Sequence, residues 1–148
     1  MSYHEKENIV NIFSGLLIAA IYWWIVYQRH LEGRFDLTED FQKWGVVFLI
    51  FMGVSVAVRI AIYIIFHILN YIATREEDIP VSDERLKLIK LKATRNSYFS
   101  FMVPMGVGFL LLALGIPIYW LFILFIMGGL ISELVDNGSQ LYYHQKGV

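Results

Sequence analysis

The chain contains no cysteine, which excludes disulfide frameworks, thiol redox chemistry and cysteine-ligated metals. Charge is also scarce: Asp, Glu, Lys and Arg make up 17% of the residues, against about 25% in soluble domains. Four histidines, His4, His30, His67 and His144, are spread along the sequence, and only His67 lies inside a long apolar run. A bis-histidine haem bundle needs an axial ligand from each of two facing helices and is excluded. No glycine-rich phosphate loop is present, since Gly106 and Gly108 lie within an apolar run. Ser14, Ser55, Ser100 and Ser132 sit in apolar settings that suit helix packing rather than nucleophilic catalysis. No close-spaced ligand motif joins His67 to Glu133 and Asp136. The expectation is no catalytic site, no metal and no cofactor.

What is present is apolar surface. The chain has 148 residues, 57% of them apolar, and its mean hydropathy is +0.57. Length suggests one domain, and the composition excludes disorder and fibrous repeats and points to lipid as much of the solvent. A transmembrane helix needs about 20 mostly apolar residues to cross a hydrocarbon core of roughly 30 Å. Residues 8–28 are uncharged, and residues 44–74 carry one charge, Arg59. Residues 96–132 are uncharged throughout and would run about 55 Å as one helix, too long for a single crossing. Gly115 and Pro117 near the middle break that run into a hairpin. The reading is an all-α, four-transmembrane-helix bundle forming a single membrane domain, with helices near 8–28, 43–73, 94–114 and 117–137. Glu5, Lys6 and Glu7 precede the first run, which lacks a small-x-small cleavage site, so it reads as a retained helix.

Lys and Arg favour cytoplasmic loops. The first connection carries Arg29, Arg34 and Lys43, and the tight second hairpin carries neither type. The opposite side carries Lys6, Arg75, Arg85, Lys87, Lys90, Lys92, Arg95 and Lys146. This places both termini and the loop 74–93 in the cytoplasm of a bacterial inner membrane. Tryptophan prefers membrane–water interfaces, and Trp23, Trp24, Trp44 and Trp120 all fall at the outer boundary of that topology, with Tyr71, Tyr98, Tyr142 and Tyr143 at the inner one.

The cytoplasmic loop begins acidic with Glu76, Glu77 and Asp78, passes Pro80 and reaches Ser82, a candidate N-cap before Asp83 and Glu84. From Arg85 to Arg95 five basic residues (Arg85, Lys87, Lys90, Lys92, Arg95) interleave with Leu86, Leu88, Ile89 and Leu91. This reads as a short amphipathic helix leading into helix 3. Either it is a platform for anionic lipid headgroups, a protein partner or a phosphorylated ligand, or it is an anchor that fixes topology. It lacks a recognition fold, so direct nucleic-acid binding is not expected.

A charge within a span costs at least about 2.5–3.5 kcal/mol and normally faces protein or water. Arg59, Tyr63, His67 and Asn70 recur at helical spacing. Asn11 on helix 1 and Glu133 and Asp136 on helix 4 are the expected companions. Arg59 lies 15 residues after Trp44 and Glu133 lies 16 after Pro117, so both sit roughly 22–24 Å from the outer boundary. The cluster reads as a structural ion pair, a ligand-binding cavity, or a proton or substrate path in a small transporter. Gly53, Ala57 and Ala61, or Gly128, Gly129 and Ser132, offer small-residue stripes for a homodimer.

Ser82-Asp83-Glu84-Arg85, with Ile89, Lys92-Ala93 and Arg95, resembles the loop signature of an uncharacterised family of small four-helix bacterial membrane proteins. The ending Glu133…Gln140-Leu141-Tyr142-Tyr143…Lys146-Gly147 resembles the close of the same family. The resemblance covers about residues 82–148 and departs at His144-Gln145, where the family tends to run basic. Members are often encoded beside helix-turn-helix regulators, so the resemblance implies a regulatory, non-enzymatic membrane protein whose partner is such a cytoplasmic regulator.

The depth match generates a test. Arg59→Glu and Glu133→Arg should each lower membrane expression, and the double reversal should restore it; immunoblotting of membrane fractions reads the outcome, and no recovery contradicts the pairing.

Overall fold

The computed structural model describes residues 3–34, 36–74 and 84–146, and all of the regular structure is helical. Four helices follow in order: α1 (Tyr3–Leu31), α2 (Phe41–Thr74), α3 (Glu84–Ala113) and α4 (Tyr119–Lys146). Each is long and apolar enough to cross a membrane. In the most apolar window of α2, α3 and α4 only 6% of residues are buried by protein. Leu49, Val103, Leu110 and Leu114 are among many large apolar side chains left uncovered. Water would penalise such surface, and lipid would not. The Ser82 cap expected from the sequence lies outside the described residues.

The chain divides into two compact units, Phe13–Val81 and Met1–Ile12 with Ser82–Val148. In the first, Ile18, Ala19 and Val26 of α1 and Trp44 and Val47 of α2 are buried. The Tyr22 hydroxyl donates to the Val47 carbonyl at 2.6 Å. The Trp23 ring packs on Phe48 and Phe51, at 5.6 and 5.5 Å between centroids, and reaches Trp44 at 6.3 Å. Trp44 is only 4% exposed, and its indole N–H donates to the Leu37 carbonyl at 2.8 Å. Two of the four tryptophans read as interface anchors therefore pack inside the unit, while Trp24 and Trp120 remain exposed.

The α1–α2 connection is specified by turn chemistry. Gly33 takes a left-handed φ of 72°, with Gly33 N–H bonded to the His30 carbonyl and Arg34 N–H to the Arg29 carbonyl. That pattern is a Schellman cap, which needs a residue free of Cβ strain at the turn. Asp36 accepts from the Thr38 hydroxyl at 2.6 Å and the Thr38 amide at 2.9 Å, closing an Asx turn. Asp40 caps α2 by accepting the Lys43 amide at 3.2 Å, and its other oxygen meets the Lys43 ammonium at 3.1 Å. These bonds hold both carboxyls below their ordinary 3.8, led by the Thr38 hydroxyl at Asp36 and the Lys43 side chain at Asp40. A depressed carboxyl adds stability above its ordinary value and loses it as pH falls through the folded one.

In the second unit α3 and α4 form a tight hairpin. Gly115 has φ 79°, with Gly115 N–H bonded to the Leu112 carbonyl and Ile116 N–H to the Leu111 carbonyl, again a Schellman cap. Pro117 follows, and the Trp120 amide bonds its carbonyl to start the return helix. The axes then approach closely. A Cβ on Gly128 would lie 3.2 Å from Cβ of Pro104 and 3.4 Å from the Phe101 ring. Phe101 and Phe125 meet edge to face at 5.4 Å, and the Ser132 hydroxyl donates to the Ser97 carbonyl at 3.0 Å. Gly128 and Ser132, read from sequence as one of two dimer stripes, are thus engaged by α3 of the same chain. Small residues serve either contact equally well, and here the neighbouring helix occupies them.

Gly128→Leu should lower hairpin stability by about 1–3 kcal/mol through overpacking against the Pro104 ring. Gly129→Ala is the control, because nothing lies within 4 Å of its Cβ position. Thermal unfolding in detergent should show a lower midpoint for Gly128→Leu alone.

Candidate functional site

The sequence concentrates basic residues at the start of α3, and the fold determines which way they point. At about 1.5 Å per residue, the 30 residues of α3 run about 45 Å, longer than a hydrocarbon core of about 30 Å. One continuous helix therefore carries the apolar hairpin and the basic turns together. Ile89 and Ala93 are buried, one turn apart, and form the seam of this end of α3 within its unit. Arg85, Lys87, Lys90 and Arg95 are exposed. Leu88 and Leu91 are exposed among them, Leu91 to 70%.

Lys92 behaves differently from the other four. It is half-buried, and its ammonium sits 5.5 Å from the centre of the Tyr143 ring, within the range of a cation–π contact. Asn96, one turn on, donates to the Ser139 hydroxyl at 3.3 Å and to the Tyr143 hydroxyl at 3.4 Å. These contacts lock the end of α4 against the root of the basic segment. Lys92 thus positions the face, and Arg85, Lys87, Lys90 and Arg95 present it. Within α4, Asn137 is buried and donates to the Glu133 carbonyl at 3.0 Å, and Gln140 donates to Oδ2 of Asp136 at 3.0 Å. Two buried polar atoms of this unit have no partner among the described residues, Oδ1 of Asp136 and Nδ2 of Asn8. Asn8 is 5% exposed.

The residues grouped from the sequence as a ligand or ion-pair cluster are shared between the two units. Asn11, Glu133 and Asp136 belong with α3 and α4, and Arg59, Tyr63, His67 and Asn70 belong with α2. The less exposed face of α2 steps through Trp44, Phe51, Ser55, Arg59, Ile62, Phe66 and Asn70, so Arg59 and Asn70 continue the covered stripe. Tyr63 lies at its edge, 45% exposed, with its ring edge-on to His67 at 4.5 Å. Gly53, Ala57 and Ala61 are exposed, and no other helix among the described residues comes within 4 Å of a Cβ at Gly53.

The sequence assigns no site role to Asn96 and Ser139, and His4 figures in it only as one of four dispersed histidines. The signal for the first two was available: both are polar residues near the ends of apolar helices remote from the Gly115 turn. Among the described residues no group of three or more His, Asp or Glu could hold a metal ion. No family model matches the chain, and neither the curated proteins nor the solved structures contain a match.

Asn96→Ala removes both hydrogen bonds to α4 and should cost about 1 kcal/mol. Faster hydrogen exchange confined to residues 84–96 and 136–146 would show that Asn96 locks this end; unchanged exchange would show that it does not.

Proposed function

We propose that the chain is a non-enzymatic regulatory or interaction protein of the bacterial cytoplasmic membrane. Both termini lie in the cytoplasm, and a cytoplasmic partner docks on Arg85, Lys87, Lys90 and Arg95. The observation that carries this reading is the division of labour on α3, where a buried seam and Lys92 fix the helix while four cations and two leucines face outward. Such a face suits a partner surface that is acidic with an apolar centre. The partner implied by the resemblance is a helix-turn-helix regulator, held away from or delivered to its DNA by the membrane protein, which itself contacts no nucleic acid. The exposed stripe of Gly53, Ala57 and Ala61 suits a homodimer contact in lipid. A second reading, ligand binding or transport, draws on the buried Oδ1 of Asp136, which has no partner among the described residues, since a carboxylate oxygen in an apolar setting calls for a proton, a cation or a hydrogen-bond donor.

The detergent-solubilised protein should retain the product of its neighbouring regulator gene on an affinity column. Replacing Lys87, Lys90 and Arg95 together by Gln should weaken that binding roughly tenfold, at about 0.5 kcal/mol per exposed charge, and raised salt should mimic the loss. Equal retention of the triple variant, or no retention of either, contradicts docking on this face. Proteoliposome flux that depends on Glu133 would favour the second reading.

A further inference from the structure

His4, at the start of α1, and His144, in the last turn of α4, belong to the same compact unit. Their rings are stacked, with centroids 5.8 Å apart and planes 10° from parallel. Tyr3 meets the His4 ring edge-on at 5.6 Å, so the pair is set among aromatic groups. The charged neighbours come from two elements. From α1, the Glu7 carboxylate lies 3.4 Å from Nδ1 of His4. The electrostatic neighbours of His144 are His4 and Glu5 of α1 and Arg85 of α3.

Neutral imidazoles stack as other aromatic rings do, whereas two imidazolium rings held face to face repel. The Glu7 carboxylate would face an imidazolium at His4. A proton on His144 would then meet the charged His4 ring and the Arg85 guanidinium, with Glu5 opposing them. Burial, the His4 ring and the Arg85 guanidinium hold the His144 imidazole below its ordinary value, so its charge is gained only on acidification.

We propose that the His4–His144 stack is a pH-sensitive latch. Uncharged, it ties the first turn of α1 to the end of α4; doubly protonated, it releases that turn. Arg85 belongs to the latch surroundings and to the docking face alike, so a charge on His144 also raises the positive potential of that face. This last consequence rests on the proposed docking function, whereas the latch stands on the stack alone.

The absence of cysteine allows clean spin labelling at Lys6→Cys and Gln145→Cys in lipid nanodiscs. The inter-label distance is read by electron paramagnetic resonance at about pH 7.5 and about pH 5.5, either side of the imidazole range. The expected result is a narrow distribution at the higher pH and a severalfold larger long-distance fraction at the lower one. His144→Phe keeps a stacking ring that takes no proton, and it should stay narrow at both. A distribution indifferent to pH with both histidines present, or the same broadening with His144→Phe, overturns the latch. Neither result touches partner docking, which is measured separately by retention on the column.

Discussion

The close approach of α3 and α4 is the contact on which the basic end of α3 depends. Lipid gives apolar helices no hydrophobic reason to associate, so van der Waals contact and interhelical hydrogen bonds must hold them. Gly128 supplies the first by letting the Pro104 ring reach the helix backbone. Ser132 and Asn96 supply the second, through the Ser97 carbonyl and the Ser139 and Tyr143 hydroxyls. The Schellman cap at Gly115 sets the register from which these pairs follow. Because α3 continues without interruption from Glu84 to Ala113, whatever fixes its apolar part also fixes its basic part. Packing of the apolar turns thereby determines how the basic turns are displayed.

Much of this fold was legible because charge is so expensive in hydrocarbon. Uncharged runs count the helices, and Gly115 with Pro117 marks the turn that divides the longest of them. Inward faces were harder to read. In a soluble helix apolar residues mark the core, but in helices apolar enough to cross a membrane they suit lipid as well as protein, so the usual periodicity loses its meaning. Trp23 and Trp44 show the consequence, since the composition of an interface belt and that of a packed aromatic cluster are the same. Gly128 shows it again: a small residue allows close approach without saying whether the approaching helix belongs to the same chain. The Asn96–Ser139 contact spans two helices and a turn, and neither residue announces its partner locally.

The candidate site was legible in composition and illegible in direction. Arg85 to Arg95 stand out in the sequence as a basic run, but the sequence treats its five cations alike. The fold separates them. Lys92 turns to the Tyr143 ring, where its aliphatic stem and charge serve packing, and the other four remain exposed. The α1–α2 connection makes a useful contrast. Its carboxylates Asp36 and Asp40 are spent on an Asx turn and a helix cap, and Trp44 ties it down through the Leu37 carbonyl. Charge there maintains local structure, whereas at the start of α3 four of the five cations are exposed.

The central claim is that α3 leaves the membrane on the cytoplasmic side as one rod, its basic turns exposed. Single cysteines in the cysteine-free chain, at Arg34, Lys87, Lys90, Ile89 and Val103, can be labelled with a membrane-impermeant maleimide in intact cells and in inverted vesicles. Labelling is expected at Arg34 only from the cell exterior and at Lys87 and Lys90 only in inverted vesicles, with Ile89 slow and Val103 unreactive from either side. Labelling of Lys87 from the exterior, or equal reactivity along 87–90, would contradict it.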